Sequence, residues 1–191
     1  MPNFTRKHRP AFTLFELLLV LAILIIFSAL AYPSVNAFYG SHQMRRAADM
    51  VRTAWAEARA HAIDEARPYR FAIVPNMGNY RIAPHAPEYW SSDPPPAPDP
   101  ANPALILSEA LPKGLRFSTG EALTPTGPSS LPAAQVPMDA WATKVIFLPD
   151  GTAKSDVEIT FGAKGTRELN LRLRGLTGAV TTRWSPNREN R

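Results

Sequence analysis

The chain of 191 residues contains no cysteine, which excludes a disulfide framework and a thiolate metal site. Its redox compartment stays open, because a cysteine-free protein fits either side of a membrane. Histidine is scarce: His8, His42, His61 and His85 are scattered, and only His61 has an acid four residues on, at Glu65. One such pair is a weak metal motif and more often a surface contact. Further acids at alternate positions are missing around Asp150-Gly151, which therefore reads as a turn and not a calcium loop. No glycine-rich phosphate loop and no nucleophile elbow occurs. These absences point away from an enzyme and call for no cofactor and no metal.

Positive charge is also scarcer than the total implies. The formal net charge is +5, but Arg6, Lys7 and Arg9 fall in the first eleven residues with no acid among them. Basic balance is thus largely an N-terminal property and weak evidence for a nucleic-acid partner.

What the chain does have is one long apolar run. Residues 12–33 read FTLFELLLVLAILIIFSALAYP, with Glu16 as the only charge. About 20 apolar residues span a bilayer as a helix, and the basic residues before them keep the N-terminus cytoplasmic. An ordinary secretory signal has the same basic start and apolar centre, with Ala29-Leu30-Ala31 as its small-residue cleavage site. A plain uncleaved anchor is the third alternative. Glu16 weighs against both, since an ionised carboxylate in a spanning helix costs roughly 2.5–3.5 kcal/mol and usually has a functional partner.

The run Pro10-Ala11-Phe12-Thr13-Leu14-Phe15-Glu16 resembles the signal cut by prepilin peptidase in type IV pilins and pseudopilins. That resemblance implies cleavage between Ala11 and Phe12, N-methylation of Phe12, and Glu16 as the fifth mature residue. Ala11 stands where the family usually has Gly, a departure that bears on processing more than on family. The implied role of Glu16 is to meet the α-amine of a neighbouring subunit, two charges compensating one another in low dielectric. Pro33 becomes the twenty-second mature residue, where many pilins carry a helix-bending proline. It either kinks the helix or ends it. Implied partners are other pilin or pseudopilin subunits, the prepilin peptidase, an inner-membrane assembly platform and membrane lipid. The implied location is the inner membrane, single-pass, with the C-terminal domain periplasmic and built into a filament.

Beyond Pro33 the pattern turns amphipathic. Met44, Ala47, Ala48, Val51, Trp55, Ala58 and Ala62 recur at spacings of three and four, while Arg45, Arg46, Asp49, Arg52, Glu57 and Arg59 lie off that stripe. A partner-binding face is one explanation of the Trp and Ala stripe; a sheet-facing core is the commoner one. Gly40 is placed to loosen the junction. The segment Trp55-Ala56-Glu57-Ala58-Arg59 is similar to the helix of H-type minor pseudopilins and FimT-like pilins.

The remainder reads as β structure with proline-rich loops. Residues 69–74 alternate, turn at Asn76-Met77-Gly78 and resume at 79–83, predicting a hairpin. Residues 84–112, with Pro94-Pro95-Pro96 at the centre, and 119–140 read as surface loops, the first a solvated loop in preference to a docking segment. Strands are predicted at 115–117, 144–148, 157–161 and 169–173, with Leu176–Val180 closing the domain. The order Phe147-Leu148-Pro149-Asp150-Gly151, alternating strands, then Thr177-Gly178-Ala179-Val180 resembles the C-terminal part of the same family. The expected fold is α+β, a long N-terminal helix packed on an antiparallel sheet. Its expected organisation is a leader at 1–11, a membrane helix at 12–35, an amphipathic helix at 36–66, a β domain at 67–183 and a tail at 184–191.

Two functions follow from the resemblance. One is a structural minor pseudopilin in the periplasmic filament that drives type II secretion. The other is a FimT-like minor pilin that binds DNA. Arg167, Arg172, Arg174, Arg183, Arg188 and Arg191 enrich the C-terminal quarter, and Arg172, Arg174 and Arg183 are the candidate phosphate contacts. A solvated outer sheet face explains the same residues, and no aromatic interleaving supports base stacking.

Overall fold

The computed structural model describes residues 13–91, 103–118, 128–164 and 166–186; within the helix the side chains of 29–39 lie outside that description. The chain divides after Tyr39 into two compact units. A single helix, α1 (Leu14–Asp64), supplies the first unit and opens the second. Eight strands follow: β1 (Tyr69–Ile73), β2 (Asn79–Pro84), β3 (Leu107–Ala110), β4 (Arg116–Ser118), β5 (Ala142–Phe147), β6 (Val157–Ala163), β7 (Thr166–Leu173) and β8 (Val180–Trp184). The architecture is α+β and every strand pair is antiparallel.

The expected single sheet is two four-stranded sheets, ordered β3-β2-β1-β5 and β4-β6-β7-β8. They share one core. The predicted stripe of α1, from Met44 to Ala62, is buried to 2% exposure or less, as is Ala54. It is a core face, not a partner face. Its alanines let the helix backbone approach closely, while Trp55 reaches between strands. From Trp55 an aromatic file runs through Phe71, Tyr80 and Phe117 to Phe161, with ring centroids 5.8, 5.8, 6.5 and 5.7 Å apart. Each pair adds about 0.5–1.5 kcal/mol beyond its area burial. Gly40 marks a close approach, since a Cβ there would lie 3.1 Å from Thr166 Oγ1.

The first proline-rich segment is not all loop. Leu107–Ala110 is free of proline and pairs with β2 in the register Leu107↔Ile82 and Glu109↔Tyr80. A short 3₁₀ turn, Pro87–Tyr89, places Trp90 beside two arginines, 4.4 Å from Arg70 and 5.6 Å from Arg81. Arg81 is buried with no carboxylate partner among the described residues. Its guanidinium donates to Tyr89 O at 3.2 Å and Ser108 Oγ at 3.4 Å, and the indole face supplies the remaining attraction. In the second proline-rich segment, two 3₁₀ turns occupy Ala133–Gln135 and Met138–Ala140. Buried Asn79 holds Leu131 there by donating to its carbonyl at 2.7 Å and accepting from its amide at 2.9 Å.

The C-terminal boundary also differs from expectation. Residues 176–179 form the turn, with Gly178 at φ 68°, and β8 carries the chain to Trp184 opposite Leu169. The strand thus runs one residue into the expected tail, because Trp184 packs on the core.

At the exit of α1, the residues noted as a weak metal pair form a polar clamp. Glu65, 6% exposed at its side chain, accepts from His61 Nδ1 at 2.7 Å and from Tyr69 Oη at 2.8 Å, and pairs with Arg67. Tyr69 Oη also accepts from Leu105 N–H at 3.0 Å. Burial, with the hydrogen bond to Glu65, pushes the Tyr69 hydroxyl up to about 12. Burial alone would raise Glu65, but the His61, Tyr69 and Arg67 bonds together hold it below the usual carboxylate value of 4.5. A depressed folded-state pKa gives stability that is present above pH 4.5 and lost as pH falls through the lowered value. Glu65→Gln is therefore expected to lower stability at pH 7 by about 1–3 kcal/mol. It should also flatten the acid limb, as read by tryptophan fluorescence during urea unfolding of the detergent-solubilised chain at pH 7 and pH 3.

Candidate assembly site

Thr13 opens α1. Its hydroxyl oxygen accepts from the Glu16 amide at 3.2 Å, and its carbonyl accepts from the Leu17 amide at 3.2 Å. This is an N-cap, and the spacing Thr-x-x-Glu is the capping-box signature. The signal lay in the sequence beside the expected processing motif. Glu16 thus has a local role within its own helix, because a carboxylate in the first turn meets the positive end of the helix dipole. Its side chain is exposed and, among the described residues, takes part in no hydrogen bond or ion pair.

Around it the helix is apolar on every side. Twelve large side chains from Leu14 to Phe27 are 43–78% exposed. At about 1.5–3 kcal/mol per fully covered side chain, covering all of them is worth at most roughly 20–35 kcal/mol. The Ser28 hydroxyl donates to Leu24 O at 2.7 Å, so it adds no unsatisfied polar group. Such a surface is favourably covered by any apolar phase or molecule.

Among the described residues, no helix is long and apolar enough to cross a membrane. The described side chains of the run stop at Ser28, and residues 14–28 cover roughly 22 Å of a hydrocarbon core about 30 Å thick. Ala11 and Phe12, the expected cleavage pair, lie outside the described residues, as does the side chain of Pro33. Helical assignment continues past position 33 to Asp64, so Pro33 does not end α1.

The arginine candidates are dispersed among acids. Arg172, exposed on β7, places Nη2 3.5 Å from Asp156 Oδ2 and lies opposite Glu158 on β6. Arg183 on β8 lies opposite Asn170, whose amide donates to Glu158 at 2.8 Å. Arg174 is exposed one residue past the end of β7, and Arg167 Nε donates to Ser185 O at 2.5 Å. Arg188 and Arg191 lie outside the described residues. With Asp156 and Glu158 interleaved, this face offers no concentrated positive field for phosphate. Nor does any group of three or more His, Asp or Glu converge among the described residues in the manner of a metal site.

No protein-family model and no curated protein matches this chain. Among solved structures, two of the minor pseudopilin EpsH from the type II secretion system of Vibrio cholerae are similar at 12% identity. One match covers 74% of this chain and 97% of that chain with a TM-score of 0.44; the other covers 78% and 98% with 0.46. Scores below 0.5 leave fold and role to rest on this chain's own elements.

The two partners of the exposed ion pair differ in what else they hold. Asp156 Oδ1 accepts the Gly175 amide at 2.8 Å. That bond, chiefly, with Arg172 and Arg174 nearby, keeps its carboxyl below the usual range. Asp156→Ala is expected to lower the unfolding midpoint, and Arg172→Ala to leave it nearly unchanged, since a long exposed pair contributes little. Thermal melts of both variants in detergent check the order; a larger drop for Arg172→Ala contradicts it.

Proposed function

We propose that this chain is a structural subunit of a pilus-like filament, of the minor pseudopilin kind that serves type II secretion, and that it is not an enzyme. One observation carries the reading: a capped helix end, apolar on all sides, with a single carboxylate in its first turn that has no partner among the described residues. Lipid covers such a surface in the monomer, and the helices of neighbouring subunits cover it in a filament. Glu16 selects between these arrangements. An unpaired carboxylate in low dielectric is costly, whereas one facing a neighbour's amine is compensated, so correct stacking is favoured over slipped stacking.

The amine comes from processing. Cleavage between Ala11 and Phe12 by a prepilin peptidase exposes the α-amine of Phe12, and N-methylation leaves its positive charge in place. Before cleavage the leader, with Arg6, Lys7 and Arg9, holds the N-terminus on the cytoplasmic side of the inner membrane and leaves the β domain in the periplasm. An inner-membrane assembly platform then draws the subunit into the filament. The DNA-binding alternative through Arg172, Arg174 and Arg183 has no comparable observation in its favour, because acids separate those side chains.

Intact mass of the membrane-extracted chain tests this first. A species beginning at Phe12 with one added methyl group is expected; one beginning at Tyr32 would mean an ordinary secreted domain. Glu16→Ala should leave processing intact yet reduce incorporation into sheared filaments by at least roughly tenfold, the scale of an unpaired buried charge. Normal incorporation of Glu16→Ala would remove the assembly role.

A further inference from the structure

The outer strands of the two sheets are β3, β5, β4 and β8, and the chain itself occupies most of their free edges. β4 is bonded along its outer edge to the turn after β1. Phe117 N–H donates to Met77 O at 2.9 Å, and Asn76 N–H to Phe117 O at 3.1 Å. Residues 152–154 fold back on the end of β5, where Lys154 N–H donates to Ile146 O at 2.9 Å. At the start of β8, Arg52 Nη2 approaches Val180 O at 3.5 Å, and Arg59 lies over the bare turns at Gly151 and Gly178. Residues 181–183 are exposed in succession, hence on both faces of the sheet, so a strand added there would bury little.

β3 differs. Leu111 N–H donates to Gly78 O at 2.9 Å, and bonding alternates along an antiparallel ladder. Leu107 and Glu109 therefore turn their backbone groups to β2, while those of Ser108 and Ala110 point away. Among the described residues nothing bonds to these outward groups. The turn Ala133–Gln135 packs near β3 without giving it a backbone bond.

Beside this edge lies a groove of about 690 Å³. Met50, Ala54 and Leu107 supply its apolar lining, and its charges are sorted along α1. His42, Arg45 and Arg46 come first, then Asp49 and Glu57, with Glu109 facing in from β3. Tyr80 donates its hydroxyl to Glu109 and so fixes that carboxylate. From His42 to Glu57 the helix covers about 22 Å, the length of roughly seven residues of extended chain.

We infer that this groove takes an extended segment of a partner polypeptide, which adds to the free edge of β3 as a fifth strand of its sheet. A basic side chain of the segment meets Glu57 and Glu109, and an acidic one meets Arg45 and Arg46. Apolar side chains between them cover Met50 and Leu107. A second copy joined through its own β3 does not fit. That strand carries no base, so the pairing would set Glu109 against like charge and leave Glu57 unanswered. All these residues belong to the second unit, so the docking does not depend on what covers residues 14–28.

Amide exchange in the detergent-solubilised full-length chain tests this, with two synthetic seven-residue peptides as probes. Both alternate valine and threonine between a terminal lysine and a terminal aspartate, in opposite orders, so that either strand direction is sampled. At millimolar concentration one of them is expected to slow exchange at Ser108 and Ala110 by at least roughly tenfold. Leu107 and Glu109, already bonded to β2, should stay nearly unchanged. Ser108→Pro removes one outward N–H and no bond to β2, and should weaken binding about three- to tenfold. Where Ser108→Pro does not accumulate, Ala110→Pro makes the same change. Glu57→Lys should weaken binding roughly tenfold, and a glutamate in place of the peptide's lysine should restore it. Slowing spread evenly over residues 107–110 would mean general stabilisation and overturn the inference, as would no slowing by either peptide. Protection of Ser108 and Ala110 without peptide also overturns it: lost on dilution, it assigns the edge to a second copy; kept on dilution, to this chain's own residues.

Discussion

The second unit depends on one continuous apolar contact, the aromatic file that starts at Trp55 and ends at Phe161. Its members belong in turn to α1, β1, β2, β4 and β6, so a single row of rings ties the helix to both sheets. Two small sheets of four strands bury little on their own. Sharing one core with an alanine-faced helix is what lets each be short and still be stable. A helix bearing larger side chains at 47, 48, 54, 58 and 62 would stand further off and open the file.

Polar groups at the margins of that core hold the segments that apolar packing cannot specify. Asn79 substitutes for a strand partner toward Leu131. Glu65 fastens the end of α1 to Tyr69 and, through it, to Leu105. Trp90 closes over Arg70 and Arg81, giving positive charge a π-face where no carboxylate partner is found among the described residues. Each device fixes a stretch of the proline-rich parts of the chain that no strand ladder holds.

Helix α1 is therefore one element with two environments. Its C-terminal part is amphipathic and buries its stripe within its own unit, while residues 14–28 expose apolar surface all round. Folding of the single chain satisfies the first and cannot satisfy the second. The exposed part buries its apolar surface only when another phase or another molecule covers it.

Much of this was legible in order of residues alone. The core stripe from Met44 to Ala62, the hairpin around Gly78, the turn at Asp150-Gly151 and the uninterrupted apolar run each rest on periodicity or on a turn residue, and such signals are local. Thr13 with Glu16 belonged to the same class, since a cap needs only a spacing of three. Tertiary structure decided what depends on distant partners. That two sheets form and not one, that Leu107–Ala110 pairs among prolines, and that β8 reaches Trp184 all follow from which edges were free to receive a strand. Arg172 and Arg59 show the same division: sequence places both as surface cations, but only folding sets Asp156 and Glu158 near the first and two bare glycine turns beneath the second. Charge along the chain is written in the sequence, whereas the field around a side chain is summed over neighbours that only the fold brings together.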